Sequence, residues 1–141
     1  MSARLCLLRD FIRLVQGGDV TEGEGDPKHE NPHSYKKLKF HQLGKRVLKA
    51  IAQEMGLQSG TYDIRSNLGG VVVSGEVTLH GESIYIVFSQ GGMGTQDFMY
   101  RQCKGRKDYT GMANHWMKYD HLADLPAVCQ SFKLVAQRGY L

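Results

Sequence analysis

The chain has 141 residues, of which 41% are hydrophobic and 23% charged, and its formal net charge is +4. That balance excludes a chain disordered throughout, and the length suits one domain that buries a core without a disulfide or structural metal. No apolar run approaches the roughly 18 residues of a membrane span, so no membrane partner is expected.

Cys6, Cys103 and Cys129 stand apart from one another, with no CxxC pair. An odd set of isolated thiols argues against a secreted disulfide framework and for a reducing cytoplasm. The opening run, MSARLCLLRDFIRLVQGG, lacks the continuous apolar region and small-residue cleavage site of a signal peptide. It reads instead as an amphipathic helix over 3–16. Leu8, Phe11, Ile12 and Val15 fall at i, i+3, i+4 and i+7, and Gly17-Gly18 stops it.

Residues 17–34 carry five carboxylates against Lys28 and almost no aliphatic surface. Such a segment gains too little from burial to order itself, so it reads as a flexible acidic linker. Being acidic and next to a basic helix, it is expected to fold back onto that helix, and residues 1–16 are expected to be an appendage rather than part of the core.

Ser34 is placed to cap that helix, which runs to Met55 with Phe40, Leu43, Val47, Ile51 and Met55 on one face. Gly44 within it suggests a close packing contact, and Gly56 closes it. The period then changes to two. Strands are expected at 61–66, 71–80, 83–90 and 97–103, with a turn at NLGG, a hairpin at Gly81-Glu82 and a glycine-rich loop at 91–96. Gly75 inside a strand marks a bulge or a close backbone approach. Residues 104–120 read as a long loop. A last helix begins near Asp124, with Leu125, Val128, Phe132 and Val135 inward and Gly139 ending it.

The expected fold is α+β: an antiparallel four-stranded meander packed by two helices. Residues 35–141 form the single domain, preceded by a helix (1–16) on an acidic linker (17–34).

Charge is segregated along the chain. Residues 35–49 hold a balance of +6, residues 101–111 one of +3, and residues 50–100 one of −4. Segregated charge can steer an anionic partner. In the loop, Arg101, Lys104, Arg106 and Lys107 supply phosphate donors, while Tyr109, Asn114 and Trp116 supply stacking surface and a polar amide. In the helix, Lys45, Arg46 and Lys49 can lie along phosphates and gain affinity by counterion release. These are the expected binding residues. The two features reinforce each other if they share a face.

Other chemistry is weaker. The glycines at 91–96 precede a strand and lack the GK[ST] of a phosphate loop. Asp63 and Glu76 on adjacent strands suggest a metal-dependent nuclease, but Thr78 stands where that pattern wants a lysine. His29 and His33, or His115 and His121, do not have zinc spacing. No catalytic motif, metal or cofactor is therefore expected.

The runs RSNLGG (65–70) and YRQCKGRKDYTG (100–111), followed by a short capped helix, are similar to small accessory proteins of phages and plasmids over residues 38–137. That resemblance implies an accessory role on a mobile element, one form of which is inhibition of host defence complexes, CRISPR effectors included, by binding and masking. The expected function is non-catalytic binding to nucleic acid or to a nucleic-acid-handling complex. The alternatives are such an inhibitor and, further off, the nuclease.

Overall fold

The structure, a computed structural model, describes residues 3–16, 35–68, 75–90, 97–109 and 113–137. The expected linker, the glycine-rich loop at 91–96 and Gly139 lie outside these residues.

Helix α1 spans Ala3–Gln16 and buries Leu7, Leu8, Phe11, Ile12 and Val15, the stripe its periodicity dictates. Helix α2 spans Tyr35–Met55. Its end is a Schellman turn: Gly56, at φ +76°, donates to the Gln53 carbonyl at 3.1 Å, and Leu57 donates to Ala52 at 2.9 Å. Gly44 lets α2 approach the sheet, since a Cβ there would meet the Val77 side chain at 3.4 Å.

Five antiparallel strands follow in simple order: β1 (Asp63–Asn67), β2 (Glu76–His80), β3 (Ile84–Phe88), β4 (Asp97–Gln102) and β5 (His115–Lys118). The expectation of four strands is thus corrected by β5, which lies within the supposed long loop. HWMK contains no β-branched residue and is four residues long, so it carries little strand signal of its own. Pairing with β4, Met99 opposite Trp116 and Asp97 opposite Lys118, makes it a strand. The β2–β3 turn is Glu82-Ser83, one residue later than expected, because Gly81 donates to the Ile84 carbonyl at 2.8 Å. Gly75 has φ +73°, and any Cβ there would collide with the Asn67 carbonyl, as expected of a close backbone approach.

A 3-10 turn at Tyr119–Ala123 leads into helix α3 (Leu125–Gln137). Asp124 caps α3, its carboxylate accepting from the Ala127 N–H at 3.4 Å. Among the described residues, no helix is long and apolar enough to cross a membrane.

The three helices lie on one side of the sheet, α2 against β1 and β2, α3 against β4 and β3. Helix α1 packs on α2 and on the 3-10 turn. It is no appendage. The Phe11 ring is fully buried, with its centroid 5.2 Å from Phe88 and 5.6 Å from both Phe40 and Tyr119. Gln90 donates to the Val15 carbonyl at 2.5 Å, tying the end of α1 to the sheet. The core therefore does not begin at residue 35. The apolar stripe of α1 needs a partner, and the helical side of the domain supplies it.

Candidate nucleic-acid interface

Strand alternation fixes what each sheet face carries. Ile64, Leu79, Ile86 and Tyr100 form one row toward the helices. On the outer face the neighbouring rows are Asp63–His80–Tyr85–Arg101 and Arg65–Thr78–Val87–Met99–Trp116.

The segment after β4 returns over the first outer row. It closes on itself where Asp108 accepts from the Lys104 N–H at 2.9 Å and its own N–H donates to the Gly105 carbonyl at 3.1 Å. His80, fully buried, donates from Nε2 to that same Gly105 carbonyl at 2.8 Å. Arg101 donates to the Tyr109 carbonyl and lies 4.7 Å from the Tyr85 ring centroid. Its other terminal nitrogen reaches Asn114 Oδ1 at 3.4 Å. Arg65 donates to the Tyr109 hydroxyl at 2.6 Å, and Arg106 pairs with Asp63 at 3.7 Å.

The expected site residues are therefore sorted into two groups. Arg101, Asn114 and Arg106 hold the loop to the sheet. Lys104 and Lys107 are exposed, and so are Tyr109 (55%) and Trp116 (63%). The three loop cations do not project together, because Asp63 draws Arg106 back.

His80, Tyr85 and Arg65 join this cluster without having been among the expected binding residues. Alternation alone places His80 and Tyr85 outward on their strands, but only the returning loop buries them. Burial lowers the His80 pKa, with Arg65 and Arg101 adding to the effect, while the Gly105 carbonyl and Asp108 oppose it. Its Nδ1 is buried and has no hydrogen-bond partner among the described residues. Burial also raises the Cys103 thiol pKa, and the thiol donates to the Gly81 carbonyl at 3.3 Å.

Lys45, Arg46 and Lys49 are exposed on α2, on the opposite side of the sheet from this loop. The two basic features do not share a face. The second is larger than the α2 cations alone suggest, because α1 runs antiparallel beside α2. Arg4 near the start of α1 meets Glu54 near the end of α2 at 2.9 Å, and Phe11 meets Phe40. Together the two helices carry nine Lys and Arg residues against two carboxylates, Asp10 and Glu54. A groove of about 280 Å³ between them sets Arg4, Arg46 and Lys49 around Leu7 and Ala50. A second groove, about 450 Å³ between β5 and α3, carries Asp120 and Asp124 and has the opposite polarity.

The carboxylates of the nuclease alternative do not form a pair. Asp63 lies opposite His80 and Glu76 opposite Asn67. They are four residues apart along the ladder, about 13 Å at the usual strand rise. Among the described residues, no group of three His, Cys, Asp or Glu is placed to hold a metal. His115 stacks on Tyr100 at 5.3 Å, and His121 lies 3.9 Å from Asp120. Comparison of the chain with protein-family models, curated proteins and solved structures returned no match.

Proposed function

We propose that this protein is a non-catalytic nucleic-acid-binding module that engages the phosphate backbone with the solvent side of the α1–α2 layer. The observation that supports this reading is the ratio of nine cations to two carboxylates on two adjacent antiparallel helices. One of those carboxylates, Glu54, is already paired with Arg4. A polycationic layer of this kind gains affinity by releasing condensed counterions, and it needs no enclosed pocket. Lys104 and Lys107 add a smaller cationic surface on the other side of the sheet.

The test is a salt titration of duplex DNA binding, comparing wild type with Lys45→Glu/Arg46→Glu and with Lys104→Glu/Lys107→Glu. All four side chains are exposed, so each substitution is expected to change stability by under about 0.5 kcal/mol. Wild-type affinity is expected to fall log-linearly with salt, and the slope to shrink by roughly 0.9 for each phosphate that is no longer neutralised. The α2 pair is expected to weaken binding more than the loop pair. If neither pair changes the slope, the reading fails. Salt-insensitive capture of an acidic protein would instead favour the alternative of a masking inhibitor.

A further inference from the structure

We infer that the outer face of the sheet, on the side away from α1 and α2, is a stacking platform for unpaired bases of a single-stranded nucleic acid. The inference rests on the nucleic-acid reading above and names a substrate class that the helical layer cannot distinguish. Phosphates are common to duplex and single strand. Only unpaired bases offer free π-faces to a protein ring.

Among the described residues two large aromatic side chains on this face are exposed, one with its ring held by a hydrogen bond and the other with its backbone fixed in the sheet. Trp116 is 63% exposed, yet its backbone is locked into β5 by the ladder to β4. Tyr109 is 55% exposed, but Arg65 holds its hydroxyl and Arg101 its carbonyl. Its ring also stands edge-on to His80, with centroids 5.1 Å apart. A ring fixed as that of Tyr109 is loses little freedom when a base stacks on it.

Tyr109 lies over His80 and Tyr85, on β2 and β3, while Trp116 is on β5. At about 4.8 Å per strand the two rings are some 10–15 Å apart, a span that an extended single strand covers in a few nucleotides. Arg65, Lys104, Lys107 and Lys118, all exposed, place positive charge around them. Of the carboxylates on this side, Asp63 pairs with Arg65 and Arg106 and Asp108 accepts from the Lys104 N–H, while Glu76 and Asp97 share the outer face at β2 and β4, Asp97 directly opposite Lys118. The returning loop covers His80 and Tyr85, so the surface offered on this side is the two exposed rings, Tyr109 and Trp116, with cations at its periphery, which is complementary to splayed bases on a charged backbone.

Trp116 is the chain's single tryptophan, so its emission reports on this face alone. The full chain is titrated with a thymidine single strand of about 15 nucleotides and with a duplex of equal length, long enough to cover one binding platform. The single strand is expected to quench Trp116 emission and the duplex to leave it nearly unchanged. Read by the anisotropy of a dye-labelled probe, which needs no tryptophan, Trp116→Ala is expected to weaken single-strand binding roughly 5- to 100-fold and to leave duplex binding as it was, and Trp116→Phe to recover much of the loss. Equal single-strand affinity in wild type and Trp116→Ala, with duplex binding intact, overturns this proposal and spares the reading of the helical layer. Equal quenching by both probes also overturns it. Failure of the wild type to bind either probe overturns both.

Discussion

The imidazole of His80 and the carbonyl of Gly105 meet at 2.8 Å, joining the middle of the sheet to the loop that covers it. A carbonyl can only accept, so Nε2 carries the hydrogen and Nδ1 is the bare nitrogen of a neutral ring. Protonation would place a hydrogen on Nδ1, which has no partner among the described residues and lies in the field of Arg65 and Arg101.

A pH dependence of stability follows. In the unfolded chain a histidine titrates near pH 6.5, and in the folded protein His80 titrates lower. Below about pH 6.5 the unfolded state therefore binds more protons, and stability falls as pH falls toward the folded value. Above it the contribution is fully present. The loss is at most about 1.4 kcal/mol per pH unit for one such group. Denaturant midpoints at about pH 7.5 and pH 5.5 are expected to differ more in wild type than in His80→Gln, whose amide keeps a donor toward Gly105. Equal shifts in the two proteins would show that His80 is not the titrating group.

Helix α1 supplies the second prediction. Phe11 is fully buried among Phe40, Phe88 and Tyr119. Phe11→Ala is expected to cost about 3–5 kcal/mol, as for other large-to-small changes in aromatic cores. Deletion of residues 1–33 is expected to unfold the remainder or leave it with a poorly packed core, observed as loss of a cooperative melting transition. A truncated chain that melts cooperatively near the wild-type temperature would refute the packing role assigned to α1.

The third prediction compares two glycines. Gly75 and Gly60 both have positive φ, +73° and +89°. A Cβ on Gly60 meets nothing within 4 Å, whereas one on Gly75 collides with the Asn67 carbonyl. Gly60→Ala is expected to cost about 1 kcal/mol and Gly75→Ala about 2–4 kcal/mol, the excess reporting the backbone clash. Equal costs in thermal or chemical denaturation would mean that the approach of β2 to the end of β1 is not what requires Gly75.

Elements whose faces are long and strongly patterned are legible in the chain before it folds. The stripe Leu8, Phe11, Ile12, Val15 defines α1, and the stripe Leu125, Val128, Phe132, Val135 defines the buried side of α3. Alternation from Val77 to Leu79 and from Ile84 to Phe88 assigns the helix-facing side of β2 and β3. Gly56 and Gly75 mark a helix end and a close approach because both need a conformation that few other residues adopt. The rest arises from long-range packing. Periodicity shows that a face is apolar but not what covers it, so α1 is legible as a helix and not as part of the core. β5 exists because β4 offers it a ladder. The return of the basic loop over His80 and Tyr85 depends on pairings between positions 25 to 44 residues apart, the His80–Gly105 and Arg65–Tyr109 bonds among them. That return diverts Arg101 and Arg106 to structural roles and leaves Tyr109 and Trp116 facing solvent, a division that no local pattern of charge or hydropathy encodes.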